Sequence, residues 1–238
     1  MLRLMTLNLW GYEQWDNRKD AVLSLINRQS PDVIALQEVQ LDMKKSPVSQ
    51  ASLLAEKELY LYTVYVSSFR TERHPRRRSL SGGYSHGLAL LSKYPITSSE
   101  QHLLSQGADF DEPCSALFTS IKVDGENMDL CNVHFGNTDQ ESSKHLEELT
   151  EICIAKGSQP IILGDFNIFE LGKHVDNELL QDYSLSSDEL SYISIPKNNG
   201  ILDYIIIPKR YSFSSVTCPE DVVSDHRAVC ADVEVIRA

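Results

Sequence analysis

Polar residues that packing does not require stand at the ends of several apolar runs. The first run closes on Thr6-Leu7-Asn8, the second on Leu36-Gln37-Glu38, and a third on Leu163-Gly164-Asp165-Phe166-Asn167, while Ser224-Asp225-His226 precedes the last. If adjacent strands deliver these ends to one edge, Asn8, Glu38, Asp165, Asn167 and Asp225 make an all-oxygen cluster. Hard cations such as Mg²⁺ or Mn²⁺ prefer that donor set. Taken singly, most of these residues also have ordinary structural uses: asparagines in turns, aspartates as caps, a histidine such as His134 bonded to nearby backbone. Glu38 after an apolar run and His226 beside Asp225 are harder to explain that way.

The elements that must position these residues read mainly as strands. Short apolar runs cover 2–9, 33–36, 61–67, 87–92, 116–123, 128–134, 160–164, 202–208 and 228–235. In the last, Val229, Ala231, Val233 and Val235 alternate with Asp232 and Glu234, the period of two of a half-buried strand. Helical spacing is clearest over 17–29, where Val22, Leu25, Ile26 and Gln29 share a face, Asp16 or Asn17 can cap the start, and pre-proline Ser30 turns the chain. A second helix is predicted over 140–156, with Leu146, Leu149, Ile152 and Cys153 inward and Gly157 as its stop, and a shorter one over 50–58. The stretch 169–199 is long, polar, acidic and without periodicity, and reads as a loop of a length often tied to function. The stretch 69–84 carries Arg70, Arg73, Arg76, Arg77 and Arg78 and reads as a basic loop.

The ordered set formed by Asn8, Glu38, Val133-His134, Gly164-Asp165-Phe166-Asn167, Leu202-Asp203-Tyr204 and Ser224-Asp225-His226 resembles the endonuclease/exonuclease/phosphatase superfamily. That group includes DNase I-like nucleases, abasic-site endonucleases, neutral sphingomyelinases and inositol polyphosphate 5-phosphatases. The resemblance implies a DNase I-like α/β fold, a four-layer sandwich of two mixed β-sheets packed face to face with helices outside. It also implies a Mg²⁺ (or Mn²⁺) cofactor, with Glu38 as principal ligand, Asn8 beside it and Asp225 completing the carboxylate set. Asp165 would orient or deprotonate the attacking water, and Asn167 would hold a phosphoryl oxygen. His226 would bond the phosphate while Asp203 fixes its tautomer, and His134 would be a second donor. The segment Phe135-Gly136-Asn137-Thr138-Asp139-Gln140 departs from many relatives, which carry a second Leu-His or an Arg and Gln there, so no substrate contact is carried over from it.

Elementary chemistry agrees with the resemblance. Hydrolysis of a phosphate ester needs charge neutralised on non-bridging oxygens, a water placed in line and a stabilised leaving oxygen. A cation, a carboxylate and two imidazoles supply all three.

At 238 residues, 42% of them hydrophobic, the chain fits a single domain over 1–238. Its balance of 34 acidic to 22 basic residues, a net charge of -12, argues against non-specific nucleic-acid binding by the body of the protein. The five cysteines show neither disulfide nor zinc spacing, and no run reaches membrane-spanning length, so a reducing, cytoplasmic setting is expected. A phosphodiesterase is expected, acting on nucleic acid or a phospholipid headgroup, with no obligate protein partner. The cluster Arg76, Arg77 and Arg78 favours the first substrate, and the segment 87–96, similar to its counterpart in many family members, favours the second. A sugar- or inositol-phosphate phosphatase is the alternative within hydrolases. A catalytically inactive binding scaffold is the alternative outside them, disfavoured because clustered carboxylates are destabilising unless a cation compensates them.

Overall fold

The computed structural model describes residues 1–58, 60–70, 84–105, 114–174 and 176–236. Two six-stranded sheets form the body. The first contains β1 (Leu2–Asn8), β2 (Val33–Asp42), β3 (Tyr62–Arg70), β4 (Tyr84–Ser92), β11 (Tyr211–Thr217) and β12 (Val229–Val235), in the order β11-β12-β1-β2-β4-β3. The second contains β5 (Ile96–Leu103), β6 (Ser115–Val123), β7 (Glu126–His134), β8 (Ile161–Asp165), β9 (Tyr183–Leu185) and β10 (Asp203–Pro208), in the order β5-β6-β7-β8-β10-β9. Both sheets are mixed: β1 with β2 and β7 with β8 are parallel, and the other pairs are antiparallel.

Alternation along the strands divides the core into layers. Leu4, Val33, Ala35, Leu88 and Val229 of the first sheet meet Leu117, Leu130, Ile161, Leu163 and Ile205 of the second in one inter-sheet cluster. Residues one step along face outward. Met5, Leu7, Ile34 and Leu36 pack under α1 (Trp15–Gln29) and α2 (Gln50–Glu58), and Cys131, Val133 and Ile162 pack under α3 (Asp139–Lys156). The result is the α/β sandwich with helices outside that the motifs imply. No described helix is long and apolar enough to cross a membrane.

Several expectations need correction. α1 starts at Trp15, after Gln14 in the left-handed region, with no side-chain cap from Asp16 or Asn17. Burial of the Trp15 ring sets the helix start, and Asp16 lies inside the first turn, where it favours the helix dipole. α3 begins where expected, capped by Thr138, which accepts from the Glu141 amide at 3.3 Å, and Gly157 ends it with a φ of 58°. Strands β5, β9 and β11 escape the apolar pattern because they lie at or next to sheet edges and are polar or very short. The stretch 169–199 is not a featureless loop. It contains two 3-10 turns, α4 (Glu178–Gln181), β9 and α5 (Ser186–Glu189), with Leu171, Leu179 and Leu180 buried.

Candidate active site

Strand direction assembles the site. Because β1 and β2 are parallel, Asn8 and the middle of β2 arrive at the same edge, and the parallel pair β7 and β8 brings His134 level with Asp165. β10 runs against β8 and starts there, pairing Asp203 with Asp165. β12 runs against β1, so Ser224-Asp225-His226, just before it, reaches that edge too.

Glu38 does not end its strand. β2 continues to Asp42, and Gln37 and Glu38 together oppose Leu88 in a bulge between the Leu36–Ala89 and Val39–Gly87 pairs. Glu38 has a φ of 52°, rare for a residue with a Cβ, as has Asn167 at 49°. Such conformations persist only where surrounding structure enforces them. Alongside the Leu9 amide, which donates to Gln37 O at 3.0 Å, both strands at the bulge are held by Asn132 of the opposite sheet. Its Nδ2 donates to Leu36 O at 3.0 Å and Ala89 O at 2.9 Å, and its Oδ1 accepts from Gln37 Nε2 at 2.8 Å. Gln37 Nε2 also reaches Thr6 Oγ1 at 3.1 Å, completing a buried polar bridge between the sheets beneath the site. Gly164 is required for the same closeness: a Cβ there would lie 2.1 Å from Val133 O.

Asp165 is the meeting point. Its Oδ2 accepts from Asn8 Nδ2 at 3.0 Å and lies 3.7 Å from His134 Nε2 and 3.8 Å from His226 Nδ1. Its Oδ1 accepts from the Asn167 amide at 3.0 Å. Asn8 Nδ2 also donates to Glu38 Oε1 at 3.1 Å, and Asn8 Oδ1 accepts from the Trp10 amide at 2.9 Å. His226 Nδ1 is 2.8 Å from Asp203 Oδ2. Asn167 Nδ2 donates to Phe135 O at 2.9 Å and Asn137 Oδ1 at 3.1 Å. Asp225 accepts from Ser224 Oγ at 3.0 Å and, among the described residues, makes no hydrogen bond to Asn8 or Glu38. Arg76, Arg77 and Arg78 lie outside the described residues.

The charges explain the proton placement. Burial alone would push the His226 imidazole down, but the Asp203 and Asp165 charges, the bond to Asp203 and the Asp225 charge outweigh it and raise it to about 10. Burial and the Asp165 charge raise the Asp203 carboxyl, which His226 partly offsets. The His226 ring is therefore the imidazolium at neutral pH, so Nδ1–H donates to Asp203 and the other ring nitrogen carries a hydrogen as well and is a donor. Ligand atoms of Asp165, Asp203 and His226 lie within 4.8 Å of one another, all buried. Two buried carboxylates beside a half-buried Glu38 need more positive charge than one imidazolium provides, and the donors are mostly oxygen. The residues fit a hard divalent cation.

The fold is the two-sheet α/β sandwich of the DNase I type. The family model described as the Endonuclease/Exonuclease/phosphatase family matches residues 5–226, and the chain belongs to that family, whose members are phosphoester hydrolases. Solved structures share the fold. An endonuclease/exonuclease/phosphatase family protein from Leptotrichia buccalis superposes with a TM-score of 0.75 at 19% identity, covering 98% of this chain and 100% of that one. The human Nocturnin catalytic domain with bound sulfate gives 0.71 at 21% identity, covering 99% and 94%. A mannosyl-6-phosphatase from Bacteroides thetaiotaomicron gives 0.70 at 14% identity, covering 98% and 100%.

Asn132, Gln37 and Thr6 were not legible as site residues, although a polar residue inside the run Leu130-Cys131-Asn132-Val133 is a signal in retrospect. His145 is another. Its Nδ1 accepts from the Gly136 amide at 3.0 Å, and its Nε2 bonds Ser105 O at 2.7 Å, which holds the turn that supplies Phe135 O and Asn137 to Asn167.

Proposed function

We propose that this protein hydrolyses phosphate diesters, of nucleic acid or of a phospholipid headgroup, using Mg²⁺ or Mn²⁺. The arrangement of Asp165 carries the reading: one carboxylate fixed by Asn8 and Asn167 and flanked by two imidazoles. Glu38, with Asn8 and Asp225, would hold the cation, which when bound neutralises charge on a phosphoryl oxygen and on the leaving oxygen. Asp165 takes the proton of the attacking water, its orientation fixed beforehand by the Asn8 and Asn167 donors. His226 donates to a phosphoryl oxygen from the nitrogen that Asp203 does not hold, and His134 supplies a second donor. Asn167 can exchange the exposed Asn137 for a phosphoryl oxygen without losing Phe135 O.

A diester is favoured over a monoester by charge. Among the described residues the site offers acidic groups and two imidazoles, a setting better suited to one negative charge on phosphate than to two. A sugar- or inositol-phosphate phosphatase is the second reading, and an inactive scaffold the third. The five free cysteines fit a reducing, cytoplasmic setting.

The test is a panel of DNA, RNA, sphingomyelin, inositol phosphates and bis-p-nitrophenyl phosphate with Mg²⁺ or Mn²⁺. Chelation should abolish turnover. Asp165→Asn and His226→Ala should each lose about 10²- to 10⁴-fold with the circular dichroism unchanged. Full activity in excess EDTA would rule the reading out, and a melting temperature unmoved by Mg²⁺ together with no turnover would favour the scaffold.

A further inference from the structure

Arg18 belongs to none of the motifs, yet its side chain joins the two halves of the candidate cation site. It stands on the first turn of α1 and is only 8% exposed. Nε donates to Glu13 O at 2.8 Å, Nη2 to Leu9 O at 3.1 Å and Gly11 O at 3.3 Å, and Nη1 to Val223 O at 2.7 Å. The Trp10 and Trp15 rings lie 5.4 and 5.9 Å from the guanidinium carbon. Leu9 directly follows Asn8, and Val223 stands two residues before Asp225. One planar fork therefore ties together the segment that leaves Asn8 and the segment that delivers Asp225 and His226. Buried loop carbonyls need donors, and a guanidinium carries five N–H groups in one rigid plane, enough to serve the carbonyls of Leu9, Gly11, Glu13 and Val223 together.

We propose that Arg18 is a positioning residue whose guanidinium, by bonding carbonyls on both segments, holds Asp225 in register with Asn8 and Glu38 for a divalent cation. This rests on the metal-dependent reading above. Two effects oppose each other. A positive charge near Glu38 and Asp225, both of which act on the guanidinium electrostatically, weakens cation binding, whereas the alignment strengthens it. Every hydrogen bond Arg18 makes among the described residues goes to a backbone carbonyl and none to a carboxylate, so its direct contacts serve alignment and its charge reaches Glu38 and Asp225 only through space. Arg18→Lys separates the two, because it keeps the charge and loses the fork.

The experiment titrates Mn²⁺ into the whole chain, wild type and Arg18→Lys, by calorimetry, and follows amide exchange at Trp10 and His226, whose N–H groups bond Asn8 Oδ1 and Ser224 Oγ. Arg18→Lys should raise the Mn²⁺ Kd by about 10- to 100-fold and speed exchange at both amides. Arg18→Ala should recover Mn²⁺ binding with methylguanidinium and not with methylammonium. A folded Arg18→Lys that binds Mn²⁺ like wild type, with both amides equally protected, overturns the proposal. If Arg18→Lys does not fold, the Arg18→Ala protein decides: failure of methylguanidinium to restore fold and Mn²⁺ binding overturns it equally. A wild type that binds no Mn²⁺ sinks the metal reading by itself, and the two amides then decide the role of Arg18.

Discussion

At the scale of single residues, the strongest coupling is between His226, Asp203 and Asp165. A buried carboxylate pair is costly unless protons or cations are shared with it, and His226 supplies the nearest proton. The native imidazole is raised from its ordinary 6.5 to about 10, so the folded state binds a proton that the unfolded chain releases earlier. The stabilisation is therefore complete below about pH 6.5 and is lost as the pH rises towards 10. The raised Asp203 carboxyl acts in the same direction, because it too binds protons more tightly in the native state. In EDTA, the melting temperature should fall between pH 7 and pH 10, and the fall should be smaller in His226→Gln. A flat profile in wild type would mean that the imidazole is neutral in the fold.

At the scale of elements, the site depends on an irregularity. The bulge in β2 turns Glu38 out of the regular alternation and leaves two carbonyls to be satisfied from outside the strand pair. Asn132 satisfies both and also accepts from Gln37, so a side chain of one sheet fixes the bulge that carries Glu38 in the other. Asn132→Ala leaves Leu36 O, Ala89 O and Gln37 Nε2 without these partners. Each unsatisfied buried group costs about 1–3 kcal/mol, and partial relaxation suggests a net loss of about 3 kcal/mol in urea unfolding. A loss below about 1 kcal/mol would show that the bulge satisfies itself or that water replaces the amide. His145 plays the corresponding part for the turn after β7, joining α3 to the Gly136 backbone.

At the scale of the whole molecule, a net charge of -12 opposes a polyanionic substrate, and the arginine cluster is the feature that could reverse this locally. The hypothesis that Arg76, Arg77 and Arg78 draw in substrates with several phosphates rests on five arginines within nine residues. Replacing those three by Ala should raise KM for nucleic acid or a polyphosphorylated substrate and flatten its dependence on ionic strength. Turnover of bis-p-nitrophenyl phosphate should barely change. Equal losses on both substrates would instead assign the segment a folding role, and no loss on either would leave it a solvated charge run.

Taken alone, the sequence determined the strands that carry the core, the helices with a clear apolar face, and the residues Asn8, Glu38, His134, Asp165, Asn167, Asp203, Asp225 and His226 as candidates. The elements and Asn8, Glu38, Asp165, Asn167, Asp225 and His226 are legible because apolar periodicity and strand-end polarity are local properties, whereas His134 and Asp203 came from the resemblance of the ordered motifs. Tertiary structure alone decided what distant residues do to one another. That Glu38 sits in a bulge with its strand continuing to Asp42 depends on how Gly87 to Ala89 pair opposite it. That the helix over 15–29 starts at Trp15 depends on where the Trp15 ring packs, not on a capping side chain. The importance of Asn132 and Arg18 could not be read locally, since an Asn in a strand and an Arg on a helix are ordinary until their partners are known. Three of the Arg18 partners, Leu9, Gly11 and Glu13, lie within nine residues, but the ones that join segments are the carbonyls of Leu36, Ala89 and Val223, between 43 and 205 residues away along the chain. Backbone groups carry no side-chain identity, so no residue type marks them in the sequence, and only folding reveals which of them a buried donor must satisfy.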